Sequence, residues 1–382
     1  MEEWKEVKLG EVIKIKYGKD HKKLCEGNIP VYGSGGLMRK VDTAIYNGPS
    51  ILIPRKGSLN NIFYVESAFW TVDTMFWSIV NTDIVDSKFL YYSICKKDFA
   101  SLNVGSAVPS LTVPVLENID LRIPSLQTQR KIASILSSLD DKIELNRRIN
   151  AKLEVQAQAL FKSWFIDFEP FKDGKFVDSE LGMIPEGWKV GTLDEIGDVI
   201  GGGTPSKSKP EYYCNNGIAW ITPKDLSITR AKFTSHGEID ITELGYKNSS
   251  AKLMPKDSVL FSSRAPIGYI TIALNDICTN QGFKSIVPRK AGTAFIYSYL
   301  KANTINIENQ ATGSTFKEAS GALIKAQKVA IPNDDSFNDF EQILKPIFNQ
   351  QAILERESAR LSALRDTLLP KLMSGEIEIT NC

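Results

Sequence analysis

SLQTQRKIASILSSLDDKIELNRRINAKLEVQAQALFKSWF, residues 125–165, holds no glycine or proline and is rich in alanine, leucine, glutamine, lysine and glutamate. Alternate steps of four and three from Ile132 pick out Leu136, Leu139, Ile143, Asn146, Asn150, Leu153, Ala157, Leu160 and Trp164. Eight of these ten are apolar, so the segment predicts one long helix with a narrow coiled-coil stripe. At 1.5 Å per residue such a helix is about 55–60 Å long. A second segment keeps the same phase: Phe340, Leu344, Ile347, Gln351, Leu354, Ser358, Leu361, Arg365, Leu368 and Leu372, seven of them apolar. A stripe this narrow needs a partner. The economical one is the other helix, packed antiparallel within one chain, although an isolated heptad helix also serves homodimerisation. Asn146, Asn150, Gln351 and Arg365 in the seam cost stability and can fix register. Pro346 predicts a kink near the start of the second helix, and Pro370 lies in its last turn.

Upstream of each helix the chain is written twice. Trp4-Lys5-Glu6-Val7-Lys8-Leu9 is answered by Trp188-Lys189-Val190-Gly191-Thr192-Leu193, and Asn28-Ile29-Pro30-Val31 by Gly217-Ile218-Ala219-Trp220. Ser50-Ile51-Leu52-Ile53-Pro54-Arg55-Lys56-Gly57 pairs with Ser258-Val259-Leu260-Phe261-Ser262-Ser263-Arg264-Ala265. Phe76-Trp77-Ser78-Ile79-Val80 pairs with Phe283-Lys284-Ser285-Ile286-Val287. Gly105-Ser106 to Pro124 and Gly313-Ser314 to Pro332 each run 19 positions, at an offset of 208. From Trp to Gly the copies differ, 101 positions against 125, so the scaffold is kept while loops vary. A period near 200 residues is a duplicated domain, not a solenoid. Short apolar runs bounded by Gly, Pro, Asn and Ser read as strands, with short helices at Ser87–Ile94 and at 294–301. The expected fold class is α+β: two pseudo-symmetric domains with twisted, mainly antiparallel β-sheets, separated by two long antiparallel coiled-coil helices.

The chain has 382 residues, 42% of them hydrophobic and 24% charged, which suits a soluble protein able to bury a core. No run of 18 apolar residues occurs, so no membrane span is expected. The acidic start, Met1-Glu2-Glu3-Trp4-Lys5-Glu6, lacks the apolar core of a secretory signal. Five scattered cysteines fit reduced thiols and a cytoplasmic location. Net charge is only +1, but residues 188–332 carry 17 basic and 12 acidic side chains, a net of +5, whereas residues 333–382 carry 5 and 9, a net of −4. A polyanion would favour the former segment.

Gly27-Asn28-Ile29-Pro30-Val31-Tyr32-Gly33-Ser34-Gly35-Gly36, Pro54-Arg55-Lys56-Gly57-Ser58 and Phe69-Trp70-Thr71-Val72-Asp73-Thr74 are distinctive words of the first copy. The second has Gly201-Gly202-Gly203-Thr204-Pro205-Ser206, Gly217-Ile218-Ala219-Trp220-Ile221-Thr222-Pro223-Lys224-Asp225-Leu226 and Gly313-Ser314-Thr315-Phe316. The chain closes on Leu368-Leu369-Pro370-Lys371-Leu372-Met373-Ser374-Gly375. In this order, each copy followed by a heptad helix, the sequence resembles the specificity (S) subunit of type I restriction-modification systems over essentially its whole length. The resemblance implies target-recognition domains over 1–124 and 188–332, spacer helices over 125–165 and 333–376, a linker over 166–187 and a tail over 377–382. It implies that each domain reads half of a bipartite, asymmetric site on double-stranded DNA, and that the helices dock two methyltransferase (M) subunits. Restriction (R) subunits would join them. S-adenosylmethionine, ATP and Mg would belong to those partners, with no cofactor or metal in this chain.

Base reading needs Arg for guanine and Asn or Gln for adenine, with Lys and backbone N–H groups on phosphate. Arg55 and Arg264 are read as matched strand-end residues, beside Lys56, Ser58 and Asn60 in one copy and Ser262 in the other. Ser34, Gly35, Arg39 and Lys40 form a basic glycine loop, as do Thr204, Ser206, Lys207 and Lys209, where glycines let the backbone approach phosphate. Asn280, Gln281 and Lys284 are further candidates, with Lys224 from the second copy's family word. The bland alternatives are surface salt bridges and tight turns with solvated lysines. Trp70, Trp77, Trp220 and Phe283 read as core aromatics. No Gly-Lys-Ser/Thr phosphate loop and no Asn-Pro-Pro-Tyr or Asp-Pro-Pro-Tyr tetrapeptide occurs. Asp140-Asp141-Lys142 has nuclease-like letters but sits in the heptad helix, where a solvated face is expected. A non-catalytic DNA-binding subunit is therefore the leading reading. A stand-alone methyltransferase or nuclease with two sensing domains, and a protein-only coiled-coil scaffold, are its rivals.

Overall fold

A computed structural model describes residues 4–105, 107–313 and 317–377. Ser106, Ser314, Thr315 and Phe316 of the repeat, and most of the expected tail, lie outside the described residues. The chain divides into two compact units, residues 1–144 with 359–382 and residues 145–358.

In the first unit the order is β1 (Lys5–Lys8), α1 (Leu9–Val12), β2 (Ile13–Tyr17), β3 (Ile29–Gly33), β4 (Gly36–Val41), β5 (Ser50–Pro54), β6 (Phe63–Val65), β7 (Trp70–Thr71), β8 (Met75–Val80), α2 (Ser87–Ile94), α3 (Val113–Glu117), β9 (Asp120–Ile123) and the start of α4 (Leu126–Phe165). An antiparallel sheet runs β2-β8-β5-β6. The interior position of β5 explains its unbroken burial: a strand covered on both faces reads as a continuous apolar run. Its one polar member, Ser50, is satisfied by donating to Ser78 O at 2.7 Å. A second sheet, β4-β3-β7, contains one parallel pair, β3 with β7. α2 starts where the Asp86 side chain accepts the Lys88 and Phe89 N–H groups.

The second unit takes β10 (Phe176–Val177), β11 (Ile184–Pro185), β12 (Lys189–Thr192), α5 (Leu193–Ile196), β13 (Gly197–Gly201), β14 (Tyr213–Cys214), β15 (Trp220–Ile221), α6 (Pro223–Thr229), β16 (Phe233–Thr234), β17 (Asp240–Ile241), α7 (Glu243–Lys247), β18 (Val259–Ser263), β19 (Ile267–Ala273), β20 (Cys278–Thr279), β21 (Lys284–Pro288), α8 (Thr293–Gln310), α9 (Gly321–Lys325), β22 (Lys328–Ile331) and most of α10 (Ser336–Ser374). Its main sheet runs β13-β21-β18-β19-β16. The first four strands repeat β2-β8-β5-β6, β15 pairs with β20 in parallel as β3 does with β7, and the β12–β22 ribbon repeats β1–β9. Two copies of one α+β scaffold are thus present.

The match reaches single atoms. A Cβ on Gly18 would lie 2.0 Å from Val72 O, and one on Gly202 would lie 2.0 Å from Asn280 O, so glycine is demanded at the same place twice. Lys19 N–H donates to Thr71 O at 2.9 Å, and Gly203 N–H to Thr279 O at 2.8 Å. Next door, an indole N–H caps the loop carbonyl in both copies: Trp70 on Lys19 O at 2.9 Å, Trp220 on Gly203 O at 3.0 Å. Trp70 comes from β7, but Trp220 comes from β15, the counterpart of β3. The same hydrogen bond is supplied from different strands. Trp70, Trp77, Trp220 and Phe283 are all buried, as read from the sequence.

Both heptad segments are single helices, α4 of 40 residues and α10 of 39. In the first unit, Ile132, Leu136, Leu369 and Leu372 join the core containing Phe89 and Leu121. In the second, Asn146 donates to Glu357 at 2.8 Å, Asn150 to Gln351 O at 3.3 Å, and the Phe161 and Phe340 rings lie 6.3 Å apart. Rising numbers on α4 meet falling numbers on α10, so the helices are antiparallel and paired within the chain. Of the seam residues, Ile132, Leu136, Leu344 and Leu354 are buried; Leu139, Ile143, Leu153, Leu160, Ile347, Leu361 and Leu368 are half-buried. The 4-3 stripe understates the far end of α4, where Phe161 and Phe165 are buried too. There the helix faces both α10 and a globular core, so its apolar face widens. Phe165 packs on Phe295 at 4.7 Å and Phe340 at 5.0 Å between ring centres. α10 begins at Ser336, ten positions before Pro346, and is one continuous helix through both prolines. α8 extends to Gln310, well beyond the expected residue 301.

Candidate nucleic-acid interface

The second unit carries a groove of about 610 Å³. Its floor is Trp220; its walls are the loop at Thr204 and Lys207, the first turn of α6, Arg264, and the turn Asn280-Gln281-Gly282. Six sequence-predicted residues meet here: Thr204, Lys207, Lys224, Arg264, Asn280 and Gln281.

α6 begins on a capping box, with Asp225 Oδ2 accepting the Thr222 backbone N–H and hydroxyl at 2.7 Å each. The other oxygen of Asp225 accepts Glu238 N–H at 2.9 Å, so this carboxylate is a brace. Lys224 pairs with Glu238 at 2.5 Å. That hydrogen bond raises the Lys224 pKa, and the pair is open to solvent, where a phosphate can displace the carboxylate. Asn280 Oδ1 accepts Gly282 N–H at 2.8 Å, which fixes the amide and points its NH₂ donors away from the turn. Thr204 donates to Gln281 Oε1. Lys207 is exposed and has no hydrogen bond or ion pair among the described residues. Glu318 serves two cations, Arg264 at 3.4 Å and Lys284 at 3.3 Å, leaving a net positive charge.

Other expected contacts are placed differently. Ser262 is fully buried; its hydroxyl donates to Pro266 O and accepts Tyr269 N–H, both at 2.8 Å, so it fastens a β-turn. Lys209 is held on Tyr212, 3.1 Å from its hydroxyl, and Ser206 pairs with Ser208 at 2.8 Å. Gly202 and Gly203 are required inside the fold: a Cβ on Gly202 would lie 2.0 Å from Asn280 O, and one on Gly203 would meet Ser250 at 2.3 Å. Their lack of a side chain serves internal packing.

In the first unit, Ser34 and Gly35 form a tight hairpin turn between β3 and β4, not a flexible loop, since Gly33 pairs with Gly36. Ser34 O accepts the Asn61 amide at 2.8 Å, and a Cβ on Gly57 (φ +93°) would lie 2.8 Å from Ser34 Oγ. The turn therefore meets the Lys56–Ser58 segment. Lys40, Lys56 and Ser58 are exposed. Arg39 is tied to Leu24 O at 2.6 Å, and Asn60 braces the turn at Phe99–Leu102 through Asp98 and Ala100 N–H.

Arg55 and Arg264 are not counterparts. Arg55 N–H donates to Thr74 O and Arg55 O accepts Leu111 N–H; in the second copy Ser263 makes these bonds with Gly282 and Ala319. The isolated bridges Lys56–Ser110 and Arg264–Glu318 make Lys56 the counterpart of Arg264 in its own unit. Sequence reading also passed over Tyr17, 54% exposed, whose ring centre lies 5.3 Å from the Arg55 guanidinium. Its signal was an exposed aromatic closing the alternating strand Ile13-Lys14-Ile15-Lys16-Tyr17.

A different node was missed altogether. Lys232, nearly enclosed in the second unit, donates to Glu154 at 2.8 Å and Gln351 at 2.7 Å, while Glu355 accepts the Lys232 and Phe233 N–H groups at 2.9 and 3.1 Å. Burial pulls the Lys232 pKa down to about 8. In the first unit Asp140 is not on the solvated face expected of it: it is half-buried and accepts Arg365 at 2.5 Å and the Tyr92 hydroxyl at 2.6 Å. Among the described residues no His, Cys, Asp and Glu group could hold a metal, and no helix is long and apolar enough to cross a membrane.

The sequence profile of the type I restriction modification DNA specificity domain matches residues 1–155 and again 185–363. The chain belongs to this family. Two matches on one chain coincide with the two copies of the scaffold. Among curated relatives, the HindI specificity subunit of Haemophilus influenzae is 27% identical, over 81% of each chain. The MjaVIII specificity subunit of Methanocaldococcus jannaschii is 26% identical over 100% of this chain and 94% of its own. The MjaIX subunit of the same organism is 35% identical over 49% of this chain, but the match spans only 45% of that relative's length. A type I specificity subunit from M. genitalium shares the fold, with a TM-score of 0.64, 18% identity and coverage of 99% and 97% of the two chains.

Proposed function

We propose that each unit of this DNA-specificity chain reads one half of a bipartite, asymmetric site on duplex DNA. α4 and α10 then set the unread spacer and dock two methyltransferase subunits, and restriction subunits complete the assembly. S-adenosylmethionine, ATP and Mg act on those partners. One observation carries this reading: the same backbone positions recur in both units with different side chains. Asn280, Gln281 and Arg264 stand where the first unit has Val72, Asp73 and Lys56. One scaffold carrying Gln281 and Arg264 in one copy, and the exposed Asp73 and Lys56 in the other, suits two different half-sites.

The test is to express the chain with its methyltransferase partner and map methylated bases across a genome. The expected result is one motif of two defined blocks around an undefined spacer. Replacing residues 1–124 by the corresponding domain of a relative should change one block alone. A single continuous motif, or a change in both blocks, would refute the division of labour. Methylation by the purified chain alone would favour a stand-alone enzyme, and failure to select any duplex sequence would favour a protein scaffold.

A further inference from the structure

β7 and β20 end in the same four-residue turn. Val72 O accepts Met75 N–H at 3.0 Å, and Asn280 O accepts Phe283 N–H at 3.3 Å. The second residue of that turn is Gln281 in the second unit, where it lines the groove. In the first unit it is Asp73. The third residue of each turn accepts a strand N–H in the same way, Thr74 O from Arg55 at 2.8 Å and Gly282 O from Ser263 at 2.7 Å. Asp73 is exposed, and among the described residues its carboxylate has no hydrogen bond or ion pair. The Arg55 guanidinium reaches the Asp73 backbone carbonyl, at 3.4 Å, and not the carboxylate.

A bare carboxylate at this place has narrow uses. It is acceptor-only, and phosphates repel it. The donors that base edges offer in the major groove are the amino groups of cytosine N4 and adenine N6. We propose that Asp73 is a specificity-determining residue of the first unit, accepting a hydrogen bond from such an amino group. The inference rests on the reading that each unit contacts its own half-site. Gln281, which both donates and accepts, takes the matching place in the other half and suits adenine, whose N6 and N7 offer one of each.

The experiment selects a randomised duplex pool on the full chain assembled with its methyltransferase subunit, using wild type, Asp73→Ala, Asp73→Asn and Gln281→Ala. Wild type should enrich C or A at one position of one block. Asp73→Ala should lose that preference by roughly tenfold, and Asp73→Asn should alter which base is chosen there. The other block should stay intact in both, which also shows that the chain is folded. Gln281→Ala should affect the other block alone. Uniformly tighter binding of every sequence by Asp73→Ala would mean that the carboxylate merely faces phosphate, and would overturn the proposal. So would an unchanged motif, or loss of both blocks together. No enriched motif with wild type would instead overturn the half-site reading itself, and this proposal with it.

Discussion

Lys232→Met should destabilise the second unit by about 3 kcal/mol. The side chain is only 6% exposed, and its ammonium lies 3.4 Å from the Phe348 ring centre and 4.2 Å from that of Tyr297. Methionine keeps most of the stem but removes the cation from Glu154 and Gln351 Oε1, leaving Glu154 only the Gln158 and Gln351 amide donors at 3.3 and 3.4 Å. Stranding one member of a buried pair costs about 3–5 kcal/mol; Glu154, 22% exposed, can recruit water, which sets the lower end. Hydrogen exchange is the suitable assay, because a chain of two units need not unfold in one step. Protection should fall at Phe233 and Thr234, in β16 beside the Glu355 clamp. The double variant Lys232→Met, Glu154→Leu should regain most of the loss, since both members of the pair leave together and Glu355 keeps its two backbone N–H donors. Alkali gives a second readout. The folded pKa of about 8 lies below the ordinary lysine value, so the folded state binds fewer protons than the unfolded one between about pH 8 and 10.5. The contribution of Lys232 to stability therefore rises across that window, by at most about 1.4 kcal/mol per pH unit, and the stability of wild type relative to Lys232→Met rises with it. A single variant within about 0.5 kcal/mol of wild type, or a double variant no better than the single, would refute the reasoning.

Arg264→Ala should weaken recognition of the second unit's half-site alone by roughly 1–3 kcal/mol, and Lys56→Ala, its true counterpart, should act only on the other half; competition binding with one half scrambled separates the two. Lys207→Ala should weaken binding to all duplexes alike and lower the slope of log K against log salt by about 1. Leu136→Ala, at a fully buried seam position, should cost about 2–5 kcal/mol in urea unfolding, while Leu364→Ala, 46% exposed on α10, should stay within about 0.5 kcal/mol. Adding one heptad to both α4 and α10 should lengthen the unread spacer in the methylation map, and an unchanged spacer would remove the helices from that role.

The helix seam was legible because a 3.5-residue period leaves few alternatives, and the strands because their apolar runs end at Gly and Pro. What stayed hidden depends on contacts between distant residues. Lys232 reaches Glu154 and Gln351 across 78 and 119 positions, and nothing local marks it as buried. The paired requirement at Gly18 and Gly202 was masked by insertions: the copies are offset by 184 positions there but by 208 at Val72 and Asn280. The pairing of Arg55 with Arg264 failed by one residue. Both residues lie just past the end of a strand, so the slip exchanged the exposed Lys56 for Arg55, whose guanidinium lies over the Tyr17 ring.

The two copies also indicate which positions are free to vary. The indole bond to the loop carbonyl recurs although its donor comes from β7 in one copy and from β15 in the other, so the bond is common to both copies and the residue that makes it is not. Thr71 and Thr279, beside the matched glycines, are buried in both copies and cannot change without disturbing that junction. One position further on the constraint vanishes. Asp73 and Gln281 sit in turns closed by backbone hydrogen bonds, and neither side chain is buried in a core. Exchange there removes no core side chain: Asp73 has no side-chain hydrogen bond among the described residues, and Gln281 would lose only the one from Thr204. The limit comes at the third turn residue. Thr74 tolerates a side chain, but a Cβ on Gly282 would meet Pro223 at 3.1 Å, because α6 starts where the first unit has its hairpin turn. A turn can therefore be exchanged between copies only together with the element packed against it. In the proposed reading, a change of specificity therefore exchanges the turn and that neighbouring element together.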